Sequence, residues 1–353
     1  FAFTVDATGL QTFPQMYRMG VPLGTQSQWG WHSFGNPKNY THNETLKNYD
    51  FGHGKTEPYS VQFNEAGRPK EAANWFRVNP HRLHLGIVGL ELTKGITATD
   101  FKNMKQELNL WNGNIVSNFT LNNQPVKVQT TCHPVKDMIA ARITSKLKAG
   151  VNFRFPYPSG GHCDDGCDWK KTNLHTTVIV NQDAQSALLE RKIDATTYYV
   201  NIQWKGNAKL SEKEKNYFVL TPQTDDFSFT CQFTSDKPKA AQPEFSETLK
   251  TSSDYWINFW KEGGAVDFSA CKDARAPELE RRVVLSQYLL AIQCAGSTPP
   301  QETGLTYNSW FGKFHLEMIW WHEAQFALWG RAHLLDRTLG WYEKAYPIAK
   351  EIA

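Results

Sequence analysis

Thr176-Thr177-Val178-Ile179-Val180, Tyr198-Tyr199-Val200-Asn201-Ile202, Tyr217-Phe218-Val219-Leu220 and Phe227-Ser228-Phe229-Thr230 follow one another with no helical period between them. Each is rich in β-branched and aromatic residues, the side chains that suit a pleated, half-buried surface. Strands that succeed strands pair antiparallel, because a parallel pair needs a long crossover between its members. Leu83 to Val88, Val126 to Thr130 and Ile139 to Ile143 carry the same pattern back to about residue 80. Asn112-Gly113 and Asn122-Asn123-Gln124-Pro125 supply turns between them. The reading predicts an antiparallel β-sandwich over residues 1–245.

The pattern changes after residue 245. Ser253 to Trp260 places rings at helical spacing and ends at Gly263-Gly264, a helical linker over 246–275. Pro277 then suits a first helical turn. Leu279, Val283 and Leu290 alternate with Val284, Tyr288 and Ile292 up to the stop at Gly296. Further helices are expected over about Phe314 to Leu328, and from Arg337 onward with Asp336 as cap and Pro347 as a kink.

Composition narrows the function. At 353 residues, 40% hydrophobic and 21% charged, the chain folds rather than staying disordered. Its net charge of +3 lacks the basic excess of a nucleic-acid footprint, and no apolar run reaches the length of a membrane span. The start, Phe1-Ala2-Phe3-Thr4-Val5-Asp6, has no basic residue and no Met, which favours a leader already removed and a secreted or periplasmic location. The 13 Trp, 13 Tyr and 21 Phe suit the flat apolar faces of sugar rings. Six cysteines are too few for a disulfide scaffold in so long a chain, and the sequons at Asn39, Asn43 and Asn118 carry little weight. Serine-nucleophile and phosphate-loop motifs are missing from the sequence.

Chemistry concentrates in Asn308 to Glu323. On a continuous helix Phe314, Glu317, Met318, Trp321 and Gln325 share one face, setting a carboxylate among rings that can bind sugar hydroxyls. The bland alternative is a core helix. Gly24-Thr25-Gln26-Ser27-Gln28-Trp29-Gly30-Trp31-His32 is a Gly-bracketed aromatic loop, and Trp29, Trp31 and His32 are candidate substrate contacts. The alternative is a loop packed on its own domain. His162, Cys163, Cys167 and His175 are candidate zinc ligands, but their spacing is not diagnostic. The adjacent acids equally suit calcium or a solvated loop, and a Cys163–Cys167 disulfide is a further alternative in a secreted chain. No resident metal or cofactor is expected.

Gln106-Glu107-Leu108-Asn109-Leu110-Trp111-Asn112-Gly113-Asn114-Ile115-Val116, followed by Val126-Lys127-Val128, resembles the N-terminal sandwich signature of glycoside hydrolase family 65 and its relatives. Gln301-Glu302-Thr303-Gly304-Leu305-Thr306 and Trp310-Phe311-Gly312-Lys313-Phe314-His315-Leu316-Glu317-Met318 resemble a hydrolase branch of that family cleaving α-linked glucosides. The resemblance implies an N-terminal super-sandwich, a helical linker and an (α/α)6 barrel whose axis holds the active site. Residues 276–353 supply about three helices of that barrel, so it is incomplete within this sequence. In the family's phosphorylases the matching segment reads Gly-His-x-Phe-Trp-Asp-Thr-Glu. Phe314 matches its Phe, but His315 stands at the Trp and Leu316 at the Asp, which leaves Glu317 as the nearby carboxylate.

The resemblance therefore implies Glu317, His315, Trp310 and Lys313 as ligands of an α-linked gluco-oligosaccharide or glucosyl glycoside. It also implies an inverting two-carboxylate hydrolase whose acid and base are expected C-terminal to residue 353. The rivals are an α-glucoside phosphorylase and a non-catalytic carbohydrate-binding sandwich. An unclosed barrel exposes the rings around Trp320, Trp321 and Trp329, so a second polypeptide completing the barrel is a candidate partner.

Overall fold

The computed structural model describes residues 1–61, 65–239, 241–305 and 307–352. Thr306 of the quoted Gln301–Thr306 motif and Ala353 lie outside them. Twelve strands form a two-layer sandwich: β1 Ile87–Glu91, β2 Lys102–Asn109, β3 Asn114–Leu121, β4 Gln124–Cys132, β5 Met138–Ser145, β6 Gly150–Arg154, β7 His175–Gln182, β8 Ser186–Ile193, β9 Thr196–Lys205, β10 Ala208–Glu214, β11 Tyr217–Pro222 and β12 Asp226–Thr234. Eight make one antiparallel sheet in the order β7-β8-β9-β12-β5-β4-β3-β2. The other four make a second sheet, β10-β11-β6-β1.

The period of two in the sequence becomes the sandwich interior. Along β9, Tyr198, Val200, Ile202 and Trp204 are buried while the residues between them are more exposed. They meet Phe153 of β6 and Phe218 and Leu220 of β11 in one apolar cluster. Each such large side chain contributes about 1.5–3 kcal/mol on burial. β2 is exposed along its whole length and β10 along most of it. Each closes one end of its sheet, and edge strands carry Lys and Glu that discourage further pairing. That is why these two strands escape a search for apolar alternation.

Among the described residues five α-helices accompany the sheets: α1 Arg68–Val78, α2 Phe245–Lys261, α3 Ala276–Cys294, α4 Gln325–Leu328 and α5 Ala332–Ile352. Among the described residues no helix is long and apolar enough to cross a membrane. Phe245, Thr248, Ser252, Trp256 and Phe259 form the buried stripe of α2, which packs on the outer face of the eight-stranded sheet. Trp256 and Phe259 also join Ala291, Cys294, Phe326 and Leu334 in a second apolar cluster, so α2 joins the sandwich to the C-terminal helices.

Two helix boundaries differ from expectation. α5 starts at Ala332, with Asp336 inside it rather than at its cap, and Pro347 lies within it. The start is fixed upstream by Arg331, whose side chain is buried. Arg331 donates from Nε to the Phe259 carbonyl at 3.1 Å and from Nη1 to Gln287 Oε1 at 2.9 Å. The helix expected over Phe314 to Leu328 begins at Leu316 with a 3₁₀ turn and passes through a π-turn, Trp320–Ala324, before α4.

Candidate functional site

Three consecutive residues, Trp310, Phe311 and Gly312, take positive φ of 49°, 61° and 75°. Left-handed backbone is unfavourable for bulky residues and persists only where its surroundings enforce it, which is common at functional sites. Here the Gly312 amide donates to the Ser309 carbonyl at 2.8 Å and the Phe311 amide to the His162 carbonyl at 3.1 Å. Lys313 fixes the far side of the turn. Its Nζ donates to the carbonyls of Phe76, Arg77 and Asn79 at 3.1, 2.7 and 3.4 Å. A cation on the last carbonyls of α1 is favoured by the helix dipole. Burial pulls the ammonium below its usual range, and all three of its protons are engaged. Lys313 is therefore not placed as a free substrate ligand.

Gly312 is required by space as well as by φ, because a Cβ there would overlap the Arg82 Cβ. Gly312→Ala is expected to destabilise the protein by about 3 kcal/mol, the sum of left-handed strain and overpacking. The corresponding fall in Tm is about 4 °C by calorimetry.

The turn pushes Trp310 outward, 43% exposed. Opposite it stands the sandwich loop 159–168, folded on itself by Asp164, which accepts from Ser159 Oγ at 2.9 Å and from the Gly166 amide at 2.8 Å. Asn308 Nδ2 donates to the Gly161 carbonyl at 3.4 Å, and Asp164 and Asn308 form a β-bridge. This docking brings the His162 ring to 4.3 Å from Trp310 and 5.1 Å from Phe311, edge-on. The His315 ring lies 5.5 Å from that of Trp310. Glu317 follows, exposed, in the 3₁₀ turn. An indole in contact with two imidazoles, with a carboxylate two residues beyond the second, offers a flat apolar face beside hydrogen-bonding groups.

The single ring-and-carboxylate face expected of a continuous helix does not form. The π-turn adds a residue to one turn, which often marks a functional segment. Trp320 and Trp321 both project outward, 65% and 64% exposed, and His322 and Glu323 turn inward. His322 Nε2 contacts the Glu302 carbonyl at 3.0 Å. Glu323 Oε2 accepts from Thr338 Oγ1 at 3.0 Å, and burial raises its pKa.

Trp29, Trp31 and His32 stand in the junction beneath this edge, with their polar groups spent inside the protein. Trp29 Nε1 donates to Asp137 Oδ2 at 2.5 Å. Trp31 Nε1 donates to the Gln28 carbonyl at 2.9 Å, and its ring lies 3.9 Å under the Arg82 guanidinium. His32 is buried between His81 and Asp194. Arg82 in turn donates to the carbonyls of Ser27 and Gln28 at 2.8 and 3.0 Å and to that of Gly312 at 3.4 Å. The polar edges of these side chains are thus engaged inside the protein, with His32 buried and Trp29 and Trp31 half-buried. Arg82, Asp137 and Asp194, which hold this junction, have no local motif that singles them out.

The four candidate zinc ligands do not converge. Cys163 Sγ lies 3.0 Å from His162 Nδ1 on the surface, whereas Cys167 is buried and donates to the Asp165 carbonyl at 3.2 Å. His175 accepts at Nδ1 from Arg191 Nη1 at 3.0 Å, so a guanidinium occupies the nitrogen that a metal would need. Among the described residues no group of three or more His, Cys, Asp and Glu side chains is arranged to hold a metal, and Cys163 and Cys167 are both free thiols. A cleft of about 350 Å³ between sandwich and helices, lined by Asp137, Lys136, Tyr255, Trp256 and Arg337, does not include Trp310.

No protein-family model and no curated protein sequence matches the chain. Several solved structures resemble it, among them the two that follow. A protein described as a kojibiose phosphorylase from the human microbiome shows 11% identity and a TM-score of 0.44, with 66% of this chain and 35% of that one covered. A bacterial glucoamylase complexed with acarbose shows 10% identity and a TM-score of 0.45, with 75% of this chain and 45% of that one covered. The chain thus spans less than half the length of either.

Proposed function

We propose that this chain is the sandwich and first helical part of a hydrolase acting on α-linked glucosides, and that the edge around Trp310 binds a glucosyl ring. The observation that carries the reading is the docked aromatic edge itself: strained backbone, held by Lys313 and Arg82, exposes an indole beside His162 and His315. Backbone strain retained to expose an apolar ring beside hydrogen-bonding groups suits a saccharide. The likeness of Trp310 to Met318 to the α-glucoside hydrolase branch of family 65 supports the same substrate class.

In this proposal Glu317 accepts from sugar hydroxyls and takes no part in bond cleavage. The general acid and general base of inverting hydrolysis, about 6.5–9.5 Å apart across the scissile bond, come from helices beyond those described. Exposed Leu316, Trp320, Trp321 and Leu328 form an apolar surface that such helices would cover.

The test is an assay of the native protein, with any polypeptide that accompanies it, on α-linked glucose disaccharides with and without phosphate. Phosphate-independent release of glucose is the expected result. Phosphate-dependent release of glucose 1-phosphate would replace hydrolysis with phosphorolysis, and binding without turnover would leave a carbohydrate-binding protein. No binding at all overturns the reading. Trp310→Ala is expected to weaken disaccharide binding about tenfold or more by calorimetric titration, the scale for truncating a central aromatic anchor.

A further inference from the structure

Beneath the recognition edge, four groups stand in file: Asp194 Oδ2, the His32 ring, the His81 ring and the Val78 carbonyl. His32 Nε2 is 3.0 Å from Asp194 Oδ2, His32 Nδ1 is 3.1 Å from His81 Nε2, and His81 Nδ1 is 3.2 Å from the Val78 oxygen. Both histidines are fully buried. The two ends of the file are a carboxylate and a carbonyl, which accept. Three contacts therefore need three protons to become three hydrogen bonds. Two neutral imidazoles bring two. One contact must then set acceptor against acceptor, whichever tautomers are chosen.

We propose that Asp194, His32 and His81 form a proton-operated latch that takes up one proton from solution as the pH falls below neutrality, and only then closes all three contacts. The latch joins four pieces of chain. His32 and His81 lie on the paired segments Trp31–His32 and His81–Arg82, and Asp194 is in the turn between β8 and β9. Tyr157, whose hydroxyl donates to Asp194 Oδ2 at 2.8 Å, lies at the root of the loop that carries His162. Phe34 covers the group, its ring 4.7 Å from His81 and 6.1 Å from Tyr157. Closing the latch fixes the root of the His162 loop against the segment leading to Arg82 and the Gly312 turn.

The charges facing the latch set where it closes. Asp194, partly open to solvent, favours uptake. Arg191 opposes it at His32, Lys313 opposes it at His81, and Lys171 stands 5.6 Å over the Tyr157 ring. Burial works in the same direction as these cations and lowers both imidazoles, so uptake falls below the usual histidine range.

The test follows the ring nitrogens of ¹⁵N-histidine-labelled protein by NMR between pH 7.5 and 4, with His32→Gln and His81→Gln assigning the signals. The expected result is one added N–H on the His32–His81 pair, with a midpoint below 6.5. Asp194→Asn is the deciding variant. Asparagine tolerates the left-handed φ of 49° at this position, and its amide can donate to His32 Nε2. The file is then satisfied with two ring protons, and the midpoint falls by about one pH unit or more. If Asp194→Asn does not fold, Tyr157→Phe tests the same point. Removing the hydroxyl donor leaves the carboxylate's charge to the imidazole, and the midpoint rises. Identical titrations in wild type and the folded variant, or no added N–H above pH 4, overturn the proposal.

Discussion

Acidification from pH 7 to pH 4 is expected to cost the folded protein several kcal/mol of stability, the loss building up below about pH 6.5. Burial pushes His81 down to about 4. His175 is held at about 3 by burial and by the guanidinium of Arg191. The free imidazole titrates near 6.5, so the unfolded chain binds protons that the folded chain refuses. Stability is therefore complete above about pH 6.5 and drains as pH falls toward each folded value. At about 1.4 kcal/mol per unit, His81 and His175 each account for about 3 kcal/mol by pH 4, and His175 for about 5 only once the pH falls below 3. Total stabilities are about 5–15 kcal/mol. Buried His32 and His84, both lowered, act in the same direction. Asp6, raised by burial, acts in the other. Far-ultraviolet dichroism and tryptophan fluorescence followed from pH 7.5 to 3 measure the loss. Equal stability to urea at pH 7 and pH 4 would show that the imidazoles are not held neutral.

Arg191→Ala is expected to cost about 3–5 kcal/mol, the scale of emptying a large core position and stranding its partners. The tenfold loss in disaccharide binding expected of Trp310→Ala corresponds to about 1.4 kcal/mol. Arg191 sits on the core face of β8, in alternation with Ala187, Leu189 and Ile193, and is wholly buried. Its Nη1 donates to His175 Nδ1 at 3.0 Å and to Thr177 Oγ1 at 3.1 Å, and its Nη2 donates to the Pro156 carbonyl. The guanidinium lies 5.2 Å from the Phe155 ring centre and 5.7 Å from that of Tyr198. Alanine removes this volume and leaves the Pro156 oxygen and the Thr177 hydroxyl without their donor. Thermal denaturation should show Tm falling by about 4–7 °C. Arg191→Met, which keeps the volume and drops a buried charge, should cost less, as exchanges of buried ions for apolar groups commonly do.

The same arginine shows where sequence reading stops. β9 was legible because Tyr198, Val200, Ile202 and Trp204 all face one way. Ser186-Ala187-Leu188-Leu189-Glu190-Arg191-Lys192-Ile193 was not, because a cation occupies a core position. The site divides similarly. Trp310 and His315 stand out in a short aromatic run, and the structure brings them together. His162 drew attention only as a metal candidate, since nothing near it in the chain reveals that its loop docks on Asn308 and Phe311. Lys313 was visible as a cation, but its role depends on the carbonyls of α1, more than 230 residues earlier in the chain. The break in the helix at 316–328 is the π-turn Trp320–Ala324, and no Gly or Pro in that stretch marks it in the sequence.

The excursion between His32 and His81 has a further consequence. Its roots are joined by the short ladder of Trp31–His32 with His81–Arg82, and its last helix is held at its end by Lys313. The ribbon Leu46–Asp50 with Thr56–Ser60 lies between these anchors and is exposed along nearly all of its length. Loop closure grows only slowly with length, so a ribbon of another size can replace it at little thermodynamic cost. For a protein engineer this is a graft site: a reporter peptide or affinity tag inserted at Gly52-His53-Gly54 leaves both anchors, and the indole edge they support, in place.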